Sequence, residues 1–335
     1  MTQRRPFLFA ALGAIALAGC DKPAETPGTP PTVDSGKTVP GASAKTYKIA
    51  VIPKGTGAQF WQSIKAGADA AGKEDGCEIV WQGPKRENDV TDQVNVVVTQ
   101  VNNKVDGIVL CATDAVALTN PVKDAIAKGV PVVTIDSGIK GDDALAYVAT
   151  DNVKGGAAAA DALAKAMGDK GNVGLLIFQK GSASSDDREK GFLEGLKKHP
   201  GLKLVSTLES SDNTKALNNV TNMLTAHPEI SGIFAASEPN GNGASQVIEQ
   251  KKLTGKVKIV AFDSGDKEIE ALKNGSIQAL IVQDPFQMGF KGVKTVLKAI
   301  KKEAISEKLV DSGMTVVTKE NLSSPEVQKL INPTK

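Results

Sequence analysis

From Tyr47 onward the chain carries one pattern twice. Asp106-Gly107-Ile108-Val109-Leu110-Cys111-Ala112 matches Ser231-Gly232-Ile233-Phe234-Ala235-Ala236-Ser237, and Val133-Thr134-Ile135-Asp136-Ser137-Gly138 matches Val260-Ala261-Phe262-Asp263-Ser264-Gly265. Gly107 and Gly232 stand 125 positions apart, Asp136 and Asp263 stand 127 apart. Agreement in both motif and register describes two similar units in tandem. Within each unit, apolar runs of strand length alternate with helix-length amphipathic segments. Strands are expected at 47–53, 78–82, 106–111 and 130–135, with a short run at 146–149, and again at 172–178, 202–208, 231–236 and 257–262. Continuous apolar stretches such as Ile108-Val109-Leu110 suit strands buried on both faces. Strands separated by helices predict parallel βαβ units. The expected fold is therefore α/β: two similar Rossmann-like domains, each a parallel sheet flanked by helices.

Local signals support this reading. A helix over 59–71 places Phe60, Ile64, Ala68 and Ala71 on one face for the sheet. Gly72, Gly129 and Gly168 are expected at helix ends, where a residue without Cβ turns most easily. Pro121 suits the first turn of a helix. In open parallel sheets, ligands bind beyond the carboxyl ends of the strands. Two such sheets facing each other pool those ends in one cleft, so residues just after each strand are the candidate site.

The chain's start tells of export. Arg4-Arg5 precedes an apolar run over 7–18 that is shorter than the roughly 20 residues of a membrane span. A basic start, a short apolar core and small residues describe a signal peptide. Leu17-Ala18-Gly19-Cys20 matches a lipobox, which would leave Cys20 as the lipid attachment. Gln3-Arg4-Arg5-Pro6-Phe7-Leu8 also has twin-arginine character, and general secretion fits equally. Residues 21–45, with Pro23, Pro27, Pro30, Pro31 and Pro40, read as a semi-extended tether. Of the remaining cysteines, Cys77 should enter one strand and Cys111 leave the next. Opposite strand ends lie too far apart for a disulfide, so two free, buried thiols are expected.

Charge excludes some functions. With 40 basic against 38 acidic residues, the net charge of +2 offers no block of Lys/Arg for nucleic acid. His199 and His227, each before a proline, look like helix-terminus residues, and no cluster suggests a metal or cofactor. Gly55-Thr56-Gly57-Ala58-Gln59-Phe60 opens like a dinucleotide fingerprint, but Phe60 stands where the third glycine is required. An enzyme is not expected. A repressor of this architecture would begin with a DNA-binding helix-turn-helix, where this chain has its export signal.

Over nearly all of 46–322 the chain resembles type I periplasmic binding proteins, the ribose- and galactose-binding branch that feeds ABC importers. The resemblance rests on Ile49-Ala50-Val51-Ile52 with Gln59-Phe60-Trp61, on Asp106-Gly107-Ile108, and on Pro131 to Asp136. It continues through Thr150-Asp151-Asn152-Val153-Lys154-Gly155-Gly156, Leu224-Thr225-Ala226-His227-Pro228, Phe262-Asp263, and Val282-Gln283-Asp284-Pro285 before Gly289. It implies that Phe60 and Trp61 stack on a sugar ring and that Asp136 and Asp263 accept its hydroxyls, unless these aspartates only cap their loops. Ser237 stands where that branch has Asn, and Gln283 matches a polar contact near the hinge. Trp81 reads either as a second platform or as core. Departures argue against ribose: Ser137 replaces an Arg, Ala58 an Asn, and Asp186 falls at an Arg position, with Arg188 two residues on. Lys54 is extra. The charges of Lys54, Asp136, Asp186, Arg188, Glu238 and Asp263 suit a neutral polyol, an amino sugar or a sugar acid.

The implied function is capture of a small polar ligand, a monosaccharide or related polyol, for an ABC permease. The alternative is a sensor that presents the liganded form to a membrane receptor. The expected organisation is a signal peptide at 1–20, a tether at 21–45, one lobe from 46–149 plus 284–311, a second from 150–283 plus 312–322, and a tail at 323–335. Three crossings, near 149–151, 283–284 and Ser312, would form the hinge. A monomer, lipid-anchored on the periplasmic side of the membrane, is expected.

Overall fold

Parallel strands need crossovers, and helices supply them here. The computed structural model describes residues 46–333; Cys20, the export segment and the tether at 21–45 lie outside them. The first series runs β1 (Lys48–Ile52), α1 (Gln59–Asp75), β2 (Glu78–Trp81), α2 (Val90–Asn102), β3 (Gly107–Leu110), α3 (Thr119–Ala127), β4 (Val132–Ile135) and β5 (Tyr147–Ala149). The second begins with α4 (Asn152–Met167), β6 (Gly171–Ile177), α5 (Ala183–Leu196), β7 (Leu202–Glu209) and α6 (Asn213–Ala226). It continues through β8 (Ile230–Ala235), α7 (Glu238–Gln250), β9 (Lys258–Phe262), α8 (Asp266–Asn274) and β10 (Ala279–Gln283). After these come α9 (Pro285–Ile300), β11 (Leu309–Asp311), β12 (Met314–Val317) and α10 (Pro325–Ile331).

Two six-stranded sheets result, ordered β11-β5-β4-β3-β1-β2 and β12-β10-β9-β8-β6-β7. Taken position by position the orders coincide. The matched segments of the repeat thus fall on equivalent strands, β3 with β8 and β4 with β9. Every pairing is parallel except β10 with β12. The continuous apolar strands are explained by two-sided burial. Val109 and Cys111 pack with Ile64, Ala68, Val293 and Val296, whereas Ile108 and Leu110 pack with Val96, Val97, Val122 and Ala125 on the opposite face. Alternate residues of one strand feed two cores. In the second sheet Phe234 and Phe262 join Leu163 and Phe192, while Ile233 and Ala235 join Val220, Val247 and Ile248. Each Val, Leu, Ile or Phe among them contributes about 1.5–3 kcal/mol by leaving water.

Close helix approach sets the rest. α1 packs on α9, and α4 on α5. A Cβ on Gly67 would strike the Phe286 carbonyl, and one on Gly156 the Arg188 carbonyl. α9 therefore returns to the first sheet although it follows the second in sequence, and β11 pairs with β5 at that sheet's edge. The chain passes between sheets after β5, after β10 and after β11. Asp151 and Asp284 cap the helices that follow the first two passages, accepting from Lys154 N–H at 3.0 Å and Gln287 N–H at 2.9 Å. Thr150 Oγ1 donates to the Gly313 carbonyl at 3.0 Å, which ties the first passage to the third.

Three expectations change. α1 runs on through the buried Gly72 to Asp75 and ends at Gly76 (φ 66), because Ala71 and Gly72 are needed against β2. The segment expected as a tail forms α10, with Val327 buried in the second sheet's core. Cys77 and Cys111 are free thiols, but only Cys111 is buried; Cys77 is partly exposed because it precedes β2 at the sheet's edge. Of its two readings Trp81 takes the second, packing on the first sheet's core.

Candidate functional site

The carboxyl ends of both sheets face one another, and a cavity of about 40 Å³ lies between them. From the first sheet come Lys54 after β1, Phe60 and Trp61 at the start of α1, Glu87 after β2, and Asp136 after β4. From the second come Phe178, Ser184, Ser185 and Arg188 around the β6–α5 turn, Ser237, Glu238 and Pro239 after β8, Asp263 after β9, and Gln283 at the end of β10.

Asp136 and Asp263 hold left-handed backbone, with φ of 60 and 82. That conformation is uncommon for a residue with a side chain, and Asp is among the few that tolerate it. It turns each carboxylate from the strand end towards the cavity wall. Asp136 Oδ2 lies 2.9 Å from Lys54 Nζ, both groups almost wholly buried. The same ammonium donates to Ser182 Oγ at 3.1 Å and Ser184 Oγ at 3.0 Å, so Lys54 joins the two lobes. Asp263 accepts Gln283 Nε2 at 2.7 Å and Glu238 N–H at 3.1 Å. Burial raises the Asp263 carboxyl, opposed by Arg188 and by the Gln283 hydrogen bond.

Arg188 is fixed on three sides. Its Nε donates to Asn152 Oδ1 at 2.8 Å, an Nη to the Ala236 carbonyl at 2.9 Å, and the guanidinium lies 3.8 Å from the centre of the Phe262 ring. The Gly156 contact described above sets how closely α5 approaches and hence where this side chain lies. Phe60 and Trp61 meet edge to face, 4.9 Å between centroids. Trp61 is buried and Phe60 partly exposed.

The lobes also touch around the cavity. Phe60 N–H donates to Glu238 Oε2 at 3.4 Å, Asp266 N–H to Gln59 Oε1 at 3.1 Å, Asn88 Nδ2 to Ser211 Oγ at 3.1 Å, and Ala115 N–H to the Gly181 carbonyl at 2.8 Å.

Of the residues singled out in the sequence, Lys54, Phe60, Trp61, Asp136, Arg188, Ser237, Asp263 and Gln283 come together on the cavity wall. Ser137 lies one layer behind: fully buried, it accepts Ser184 N–H at 3.3 Å. Asp186 does not belong. It is exposed, and its carboxylate accepts Gly181 N–H at 3.2 Å, because the helical turn that brings Arg188 inward turns Asp186 out. Glu87, Phe178, Ser184 and Ser185 were missed, and Glu238 was weighed only as a nearby charge. Phe178, Ser184, Ser185 and Glu238 stand just beyond strand ends or in the first turn of the following helix, where the strand-end rule contained them; Glu87 lies farther out, in the loop between β2 and α2.

Burial lifts Glu87 to about 7 against the pull of the Trp61 N–H and the Lys54 charge, and burial together with the Asp263 charge lifts Glu238 to about 7. Among the described residues, no group of His, Cys, Asp and Glu is arranged to hold a metal ion.

Two wound sheets facing each other across a buried polar cavity define a bilobal solute-binding protein. The chain belongs to the periplasmic binding protein domain family, whose model matches residues 49–304. It is similar to the ribose import binding protein of Salmonella typhimurium, 32% identical over 266 residues that cover 78% of this chain and 87% of that one. A carbohydrate transporter solute-binding protein from Agrobacterium radiobacter, solved with D-arabinose, has TM-score 0.84 and 39% identity, covering 87% of this chain and all (100%) of its own. An ABC transporter solute-binding protein from Agrobacterium vitis with bound D-fucose gives 0.82 and 39%, covering 85% and 99%. The family is one of substrate-binding proteins and is periplasmic.

Proposed function

We propose that the protein captures a monosaccharide or related polyol between its lobes and delivers it to an ABC permease, without chemical change. One observation carries this reading: buried polar side chains of both lobes converge on a single cavity that also presents Phe60, Trp61 and Phe178. Aromatic faces suit the C–H side of a sugar ring. Buried carboxylates and amides suit its hydroxyls, through charge-assisted bonds roughly twice as strong as neutral ones. The similar proteins solved with D-arabinose and D-fucose support the ligand class.

The three passages between sheets serve as the hinge in this reading, dividing the chain into lobes of 46–149 with 284–311 and 150–283 with 312–322. A ligand that touches both lobes favours the closed form by its difference in affinity for the two states. Cys20 carries the lipid that tethers the monomer to the membrane, and the permease reads the closed surface. The test is thermal unfolding of the purified full chain against a panel of sugars, polyols and sugar acids. A ligand at a hundred times its Kd adds about 2.7 kcal/mol, a rise of several degrees. A selective rise supports the reading, and a flat panel overturns it.

A further inference from the structure

The polar groups of the cavity are unevenly spent. Lys54 uses its ammonium on Asp136, Ser182 and Ser184. Arg188 is committed to Asn152, the Ala236 carbonyl and the Phe262 ring. Among the described residues these are the two cationic side chains on the wall. Asp263 already accepts from Gln283 and from the Glu238 backbone. What remains, apart from the Trp61 indole N–H, is acceptor-rich. Glu87 from one lobe and Glu238 from the other form no ion pair among the described residues. Ser237 and Gln283 are only 7% and 2% exposed, and Ser237 Oγ and Gln283 Oε1 have no partner within the protein. Half-buried carboxylates without a counter-charge in contact are costly. The Lys54 charge and the Trp61 N–H offset part of this cost at Glu87; with both cations in contact with other partners, further relief comes from protonation or from the ligand.

We propose, building on the sugar-binding reading above, that the preferred ligand is an aminated sugar or aminopolyol whose ammonium is held by Glu87 and Glu238. A sugar acid is disfavoured by the same count, because it would add a carboxylate to a wall already rich in them. A cation held from both lobes also bonds more fully in the closed form than in the open one, which couples recognition to closure. The elevated proton affinity of both glutamates fits a site that waits for a cation, with Lys54, Asp136, Asp263 and the Trp61 N–H facing Glu87, and Asp263, Glu87, the buried Glu268 and the Phe60 and Gln59 N–H groups facing Glu238.

Calorimetry on the full chain near neutral pH tests this. The probes are D-glucosamine, D-galactosamine, D-mannosamine and glucamine, each against its neutral parent, with N-acetylated counterparts of the three hexosamines. At least one amine should bind about 10- to 100-fold more tightly than its parent, the range expected of a hydrogen bond to a charged group. Acetylation should abolish the advantage, and Glu87→Gln or Glu238→Gln should shrink the amine-to-parent ratio in a variant that unfolds at a normal temperature. Parents that bind as well as or better than their amines overturn the inference and leave the sugar reading standing. Silence from every amine, parent and acetylated sugar overturns both.

Discussion

Asp136 and Asp263 make the same backbone hydrogen bond in their two lobes. Asp136 N–H donates to Val148 of β5 at 3.0 Å, and Asp263 N–H donates to Ile281 of β10 at 2.9 Å. Each amide is thereby held by the next strand of its sheet while the residue turns left-handed. Their carboxylates then part company, one to Lys54 and the other to Gln283. Equivalent positions have kept their geometry and diverged in chemistry.

The Lys54–Asp136 pair is almost wholly buried, so removing one member strands the other. Asp136→Ala should cost about 3–5 kcal/mol of stability in the unliganded protein. Adding Lys54→Met to that variant should recover much of the loss, since the lone ammonium is then gone. Denaturant unfolding of both singles and the double closes the cycle. Additive losses would show that the two charges do not depend on each other.

Ser182 and Ser184 take the Lys54 bridge into the second lobe. The variant carrying Ser182→Ala and Ser184→Ala should leave the ion pair intact but weaken closure without ligand. Small-angle scattering should report a larger radius of gyration for the unliganded variant than for the parent. An unchanged radius would mean that other contacts, such as Gln59 with Asp266, hold the lobes together.

Glu87 and Glu238 also set a pH dependence. Each is raised to about 7 in the folded chain, above its ordinary value near 4.5. Between those values the folded state binds more protons than the unfolded one, so their contribution to stability is full below about pH 4.5 and is lost as pH rises through 7. The melting temperature of the unliganded protein should therefore fall across this interval. Glu87→Gln and Glu238→Gln should each flatten the decline; a slope unaffected by either change would assign it to other groups.

At the α4–α5 contact, Gly156→Ala forces a Cβ against the Arg188 carbonyl. Overpacking of this kind costs about 1–3 kcal/mol. Because the helix that shifts carries Arg188, ligand affinity should fall together with the melting temperature. A stability loss with affinity untouched would separate the packing from the site.

How much was legible beforehand depended on the range of the signal. Two-sided burial writes itself into a strand as a continuous apolar run, so β3 and β8 were plain, and the repeat made β4 and β9 equally so. β10, β11 and β12 were not among the expected strands. β11 and β12 are short and partly exposed edge strands, as Leu309 shows, and partners distant in sequence decide their existence. In the site, strand-end residues could be named from position alone. The choice between Asp186 and Arg188 turned instead on the phase of α5, which depends on its packing against α4. Glu87 gave no signal beyond its place after β2.

The return of α9 and β11 to the first sheet makes that lobe discontinuous in the chain. Domains usually complete themselves in order as the ribosome releases them. Here β1 to β5 must wait for residues up to 311, by which time the second lobe's strands β6 to β10 have been made. The half that begins first therefore finishes late, and the nascent protein has little opportunity to settle into one completed lobe before nearly the whole sequence exists.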